Sequence, residues 1–286
     1  MVMVRPATAG LGILTPEEVG ELVVRPIIAA STALQVCNVV PTDSGDFRIP
    51  IIADDAGAQW VAEAADIPLD DADVTEEIVR PTKVAGLTKV SSELAQDSSP
   101  AATQVVGESI ARSIARQIDL AFFSNTTANG PDGLLSLGAT QFVTAGSGFT
   151  NVDPFTEAAS LVEGVGGNVT AWCTNASTAL VLATLKEETG SNKPLLQPDP
   201  TQASRRLIGG APLFVVPGAA GAAIGDGRVW GLDGSRVFAI MRRDVEVAID
   251  ASYFFNSDSF AVRSTARLGF GYPDERCVVR IGVGGS

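Results

Sequence analysis

Residues 54–77 constrain the fold most, because they cannot build a core of their own. They hold nine acids, no Lys or Arg, and one large aromatic, Trp60. Burying unpaired carboxylates is costly, so such a segment stays at the surface. Period-two runs flank it. Phe47, Ile49 and Ile51 alternate with Arg48 and Pro50 on one side, and a second such run passes through Val74, Glu76, Ile78 and Arg80. Two strands joined by a polar connection predict a long hairpin projecting from the body. A lone two-stranded hairpin is marginal in water, so its expected support is a neighbouring subunit.

The rest of the chain has material for a core. A long amphipathic helix is expected over about 100–124. Val106, Ile110, Ile114, Ile118 and Phe122 recur every fourth residue on one face, and Glu108, Arg112 and Arg116 share the other. Gly130-Pro131 breaks the chain after it. Upstream, Thr15-Pro16-Glu17-Glu18 has the form of a helix start, with Thr as N-cap and Pro in the first turn. Residues 1–45 therefore read as an arm, ending in the turn cluster 41–46.

Residues 150–240 read as a compact α/β region. Helices open at Asp153-Pro154-Phe155 and at Asn175-Ala176-Ser177, a strand covers 169–174, and a polar loop covers 187–205. Apolar strands follow at 212–216 and 228–230, and the small-residue run 218–227 reads as a turn between them. The end is β-rich. Val245, Val247 and Ile249 alternate with Glu246, Ala248 and Asp250. Phe260, Val262, Ala266, Leu268 and Phe270 share one face, with Arg263, Thr265 and Arg267 on the other. Cys277, Val279 and Ile281 predict a final strand. The whole is α+β, of one large domain or two smaller ones.

Composition removes most chemistry. The net charge of −13 argues against gripping nucleic acid through its phosphates. There is no His, so the Ser-His-Asp and Cys-His arrangements and the commonest metal ligand are missing. Cys37, Cys173 and Cys277 are too far apart for Cys-x-x-Cys and read as free, mostly buried thiols. No Gly-x-x-x-x-Gly-Lys-Ser/Thr loop occurs. Asp70, Asp71, Asp73, Glu76 and Glu77 resemble calcium ligands only superficially, since Glu76 stands where an EF-hand loop starting at Asp71 needs Gly. No catalytic, cofactor-binding or metal residue is assigned, and no cofactor is expected.

No run of about 20 apolar residues, the length of a spanning helix, occurs. Pro6, Gly10 and Gly12 interrupt any signal-peptide core. Yet 45% of residues are hydrophobic and the mean hydropathy is +0.23. The reading is a cytoplasmic chain with extensive subunit interfaces.

Several stretches then fall in a telling order. They are residues 15–28, Phe47-Arg48-Ile49-Pro50 through Arg80-Pro81, and Lys89-Val90-Ser91-Ser92-Glu93-Leu94-Ala95-Gln96-Asp97-Ser98. Next come Ile118-Asp119 to Phe123 and Asn129-Gly130-Pro131-Asp132-Gly133-Leu134-Leu135. Residues 182–190, Leu195-Leu196-Gln197 and Leu207-Ile208-Gly209-Gly210-Ala211-Pro212-Leu213 follow, and Gly225-Asp226 with 243–281 closes the series. In this order the chain resembles the major capsid proteins of tailed bacteriophages that share the HK97 fold. The resemblance implies an N-terminal arm (1–45), an extended loop (46–82), a peripheral domain with a long spine helix (83–149), an axial domain (150–240) and closing peripheral strands (241–286).

The resemblance also implies a structural virion protein, not an enzyme. Its pentamers and hexamers would form an icosahedral shell enclosing double-stranded DNA without sequence-specific contact. A portal protein, a separate scaffold and a possible decoration protein would be further partners, with no membrane, and assembly would take place in the bacterial host cytoplasm. Some members join an extended-loop Lys to a neighbour's Asn by an isopeptide bond. Here the first Lys is Lys83, so no such crosslink is expected. Others begin with a long scaffolding segment removed by a protease, whereas here the first helix signal already stands at Thr15. The subunit-interface candidates are Trp60, Glu63 and Asp66 on the loop, facing Arg112, Arg116, Arg242, Arg243, Arg263 or Arg267 of a neighbour. The alternatives are an encapsulin-like nanocompartment, told apart by protein cargo, and a soluble acid-dependent hydrolase, told apart by a discrete small oligomer with a pocket.

Overall fold

The computed structural model describes residues 25–54, 60–61, 73–91, 101–188, 191–196 and 206–284. Two short helices, α1 (Arg25–Ala30) and α2 (Thr32–Val36), lead into β1 (Asn38–Thr42). Then come β2 (Phe47–Asp54), β3 (Asp73–Val79), β4 (Thr82–Ser91) and the long helix α3 (Ala101–Phe123). The next elements are β5 (Gln141–Thr144), α4 (Asp153–Gly164), β6 (Ala171–Asn175) and α5 (Ala176–Thr184). β7 (Leu207–Ile208), β8 (Ala211–Val216), α6 (Gly218–Ile224) and β9 (Arg228–Leu232) follow. The chain closes with β10 (Phe238–Phe254), β11 (Ser259–Gly271) and β12 (Val278–Gly282). The expected helix start at Thr15, the helical turn near Glu93 and residues 189–190 and 197–205 of the expected 187–205 loop lie outside the described residues.

The strands form three sheets: four strands in the order β1-β10-β11-β4, six in the order β5-β12-β9-β6-β8-β7, and the pair β2-β3. The every-fourth-residue stripe explains how α3 packs. Ile110, Ile114, Ile118 and Phe122 are buried in one cluster with Val90, Val262, Leu268 and Phe270 of the four-stranded sheet. The Phe122 and Phe270 rings meet edge-on at 4.9 Å between centroids. Arg112 and Arg116 stay exposed on the opposite side of the helix. The six-stranded sheet is buried on both faces, and the period of two divides its residues. Cys173, Trp230 and Val278 point into the cluster with α3, while Trp172, Val229, Val279 and Ile281 pack with Phe155 of α4 and Leu182 of α5.

One buried carboxylate fastens α2 to α3. Asp119, only 4% exposed, accepts from Ser31 Oγ at 2.7 Å, Ala33 N at 2.9 Å and Thr32 N at 3.1 Å. Those amides open a helix and have no partner within it. Burial pushes the Asp119 carboxyl up, and the three hydrogen bonds oppose the shift.

The run 218–227 is not the simple turn expected between β8 and β9. Residues Gly218–Ile224 form α6, and positive φ occurs at its first residue, Gly218, and in the following turn at Gly225 and Gly227. Alanine carries the helix, since it loses no side-chain freedom there. Gly221 serves close approach rather than turning, because a Cβ on it would run into the Val216 carbonyl. β12 does not extend the sheet of β10 and β11. It pairs antiparallel with β9 and parallel with β5.

Candidate functional site

The hairpin expected around the acidic stretch is present. Its register runs from Phe47↔Val79 at the base to Asp54↔Asp73 at the outer end. Its base, however, rests on the chain's own body. Ile49 and Val79 are buried with Ile240 of β10. Two glycines of β11 make the seat. A Cβ on Gly271 would lie 2.6 Å from Ile49 Cδ1 and 2.8 Å from Val79 Cγ2, and one on Gly269 would lie 2.7 Å from Val79 Cγ1. The Tyr272 N–H donates to both carboxylate oxygens of Glu77, at 3.0 and 2.9 Å. Burial raises the Glu77 pKa, and the Tyr272 N–H opposes the rise.

Beyond the base the side chains that are described are solvated. Val74 and Ile78 are exposed, and Trp60 is fully so. Arg48 reaches Glu76 at 2.6 Å and Arg80 reaches Asp46 at 3.4 Å, all largely exposed. Exposed pairs of this kind are worth about 0.2–1 kcal/mol each.

The side of the four-stranded sheet away from α3 gathers cations. Residues directly opposite one another in an antiparallel pair share a face. Lys83 of β4 stands opposite Arg267 of β11, and Arg267 opposite Arg242 of β10. Leu87 faces Arg263, and Lys89 faces Ala261. The alternate residues Val84, Val90, Val262 and Leu268 form the side packed under α3. Lys89 Nζ also sits 5.1 Å from the centroid of the Phe254 ring.

Three of the expected Arg, 242, 263 and 267, thus come together on one face. Arg243 lies in β10, next in sequence to Arg242. Arg112 and Arg116 do not join them. They lie on the solvent side of α3, where Arg112 pairs with Glu108 at 3.6 Å. Glu63 and Asp66 lie outside the described residues. Sequence reasoning missed Lys83 and Lys89, although the alternation Lys83, Ala85, Leu87, Lys89 carries them on one strand face.

Little in the described residues offers chemistry. Among them no group of three or more His, Cys, Asp or Glu stands close enough to hold a metal. All three thiols are free, and burial raises the pKa of each, which keeps them protonated and poor nucleophiles. The open cleft beside Pro50 and Ile51 carries Asp274, but that carboxylate is engaged by Arg276 at 2.9 Å and Arg236 at 3.4 Å.

Comparison with known proteins fits this picture. A structure from Microbacterium phage Oxtober96 is similar at TM-score 0.69 and 19% identity, covering 88% of this chain and 90% of that one. The capsid of an empty GTA particle gives TM-score 0.68 and 17% identity over 90% of both chains. A Mycobacterium phage Bobi structure gives 0.67 and 18%, over 90% and 91%. At these identities the likeness shows the fold, an HK97-like capsid fold. The capsid polyprotein of Pseudomonas phage PAJU2 is 30% identical over 84 residues, which is 29% of this chain and 13% of that polyprotein. The Phage capsid family matches residues 12–281. Its members are structural and not enzymes, and the chain described here belongs to this phage capsid family.

Proposed function

We propose that this chain is the major subunit of an icosahedral phage shell, assembling as pentamers and hexamers around double-stranded DNA. The observation that carries the reading is the hairpin. Its base is seated on the body by Ile49, Val79 and Glu77, while Trp60, Val61 and Val74 beyond it are exposed. A sequence stretch rich in acids and attached to a fixed base is suited to reaching a neighbouring copy. In this reading residues 1–45 are the arm, 46–82 the extended loop, 83–149 and 241–286 the peripheral domain, and 150–240 the axial domain. Trp60, Glu63 and Asp66 face Arg residues of an adjacent subunit. A portal protein, a separate scaffold and a decoration protein act on the assembled lattice, in the host cytoplasm. The DNA is enclosed without sequence-specific contact, consistent with the net charge of −13.

The shell is held without isopeptide crosslinks, because no Lys precedes Lys83 and the hairpin has no amine to give. Two measurements test the proposal. Purified particles examined by electron microscopy should show icosahedral shells containing DNA. Protein cargo in place of DNA would favour a nanocompartment, and a small discrete oligomer would overturn the shell reading. Boiled, reduced particles should run as a single monomer band, and a ladder of covalent multimers would overturn the noncovalent reading.

A further inference from the structure

We propose that Arg228, Arg280 and Thr144 form a binding site for a phosphate group on the six-stranded sheet. Strand register builds the site. Arg280 of β12 stands opposite Trp230 of β9 and Phe142 of β5, and Gly282 stands opposite Arg228 of β9 and Thr144 of β5. Residues two apart on a strand share a face, and this is the face that carries Trp230 and Val278. Arg228 and Arg280 are therefore diagonal neighbours, roughly 7–8 Å apart at the backbone and within reach of each other's long side chains. Gly282 stands between Arg228 and Thr144 without a side chain, and a Cβ on it would lie 3.0 Å from the Phe142 ring. The floor of the site is thus bare backbone, with a guanidinium on one side and a hydroxyl on the other.

These two arginines lack the acid that a cation beside another cation needs. Among the described residues, neither guanidinium has an ion pair or a hydrogen bond. Supply does not explain this, since the chain has 33 Asp and Glu for 20 Lys and Arg. Asp226, two residues before Arg228, is turned away: it accepts from Asn175 Nδ2 at 2.7 Å and from Ser177 Oγ. Arg280 is held between two rings, its Cζ 5.1 Å from the Phe142 centroid and 6.0 Å from the Trp230 centroid. The rings fix the guanidinium and leave its N–H donors unused. Burial, and after it the charge of Arg228, lower the Arg280 pKa, and an anion between the two would offset both. The Thr144 hydroxyl accepts from the Gly146 N–H at 3.2 Å, which leaves its own proton to donate. Phe142 and Thr144 are exposed, so the site is open to solvent. The donors approach from β9, β12 and β5. A carboxylate has two oxygens in one plane and is satisfied by a single guanidinium fork, whereas a tetrahedral phosphate offers oxygens to all three groups. Free phosphate groups and the phosphodiester backbone of DNA share this chemistry.

The test is 31P NMR of inorganic phosphate titrated with the purified full chain at fixed ionic strength. The phosphate signal should broaden as the chain is added. Arg228→Gln and Arg280→Gln should each weaken binding by about tenfold or more, the loss expected for a hydrogen-bonded charge, and Thr144→Val should weaken it by a smaller factor. Lys186→Gln, which removes one exposed positive charge elsewhere, should leave binding unchanged. Arg228 is not held between rings, so its variant keeps the test informative if Arg280→Gln fails to fold. No broadening, or broadening that neither arginine variant alters, would overturn the proposal. Acetate displacing phosphate at equal concentration would also overturn it, by making the place a general sink for anions. A short DNA duplex as competitor separates the two sources. Displacement of phosphate from the parent chain supports a site entered by the phosphodiester backbone, and phosphate that stays bound supports a site for free phosphate groups. The site lies within one chain, so its failure leaves the shell reading in place, and a chain that forms no particles still binds phosphate.

Discussion

Two carboxylates inside the subunit do opposite kinds of fastening. Asp119 joins α2 to α3 through three donors, and Glu77 joins the hairpin to the end of β11 through one. Asp119→Ala leaves the Ser31 hydroxyl and two amides without their acceptor, at about 1–3 kcal/mol for each group left unsatisfied. Unassembled Asp119→Ala subunits should therefore melt well below the parent. Asp119→Asn should fall between them, because one oxygen keeps Ser31 and Ala33 while the amide nitrogen opposes the Thr32 N–H. Glu77 has a testable pH signature. Its folded pKa lies above the ordinary glutamate value of 4.5, so the folded state binds this proton more tightly than the unfolded one. The group's contribution to stability is then full below the unfolded pKa and is lost as pH rises through the folded pKa. Glu77→Gln keeps an acceptor for Tyr272 and removes the buried charge. It should raise the subunit's melting temperature at pH 7, and the difference should vanish as pH falls towards 4. A constant difference across that range would mean that Glu77 does not titrate at the joint.

At the scale of elements, the hairpin seat depends on side chains that are absent. Gly271→Val puts a branched side chain into space held by Ile49 and Val79. Overpacking of this kind costs about 1–3 kcal/mol. Hydrogen exchange should accelerate across β2 and β3, while the amides of α3 around Ile114 stay protected; equal loss in both would mean that the seat is part of the global core. The same seat marks where reading the sequence stopped. Local periodicity was legible, so the α3 stripe, the β10 and β11 alternation and the hairpin strands were all expected. Choice of partner is nonlocal and leaves little local trace. Nothing in Gly269 or Gly271 says that a hairpin sits there. Nothing in Val279 or Ile281 says that β12 pairs with β9 rather than β11. The α6 helix was missed for a related reason. Its Gly spacing resembles a turn, but Gly221 serves close contact with Val216. The candidate interface was half legible. The Arg of β11 were found by their alternation, but their alignment with Lys83 and Arg242 depends on register between strands far apart in sequence.

For the whole molecule, the question is how a chain of net charge −13 associates with itself many times over. Like-charged subunits repel, and that repulsion keeps free subunits soluble. Association then requires the charge to be unevenly placed, and this chain places it so. The acids are concentrated in 54–77, and cations gather on the outward sheet face. One exposed ion pair contributes only about 0.2–1 kcal/mol, so in the proposed shell a single contact of this kind would be weak and reversible, which would let misplaced subunits leave a growing lattice. In the proposed shell such a contact would repeat at every subunit, and the sum would resist dissociation. Reversing two hairpin charges, by Glu63→Lys and Asp66→Lys, should therefore lower the temperature at which particles come apart, with the melting of isolated subunits nearly unchanged. The difference should shrink in high salt, because the Debye length falls from about 8 Å at 0.15 M to about 3 Å at 1 M. Variant particles that assemble and withstand heat as the parent does would show that hairpin charge is not what holds neighbours together, and would leave the apolar contacts of Trp60 and the arm to do so.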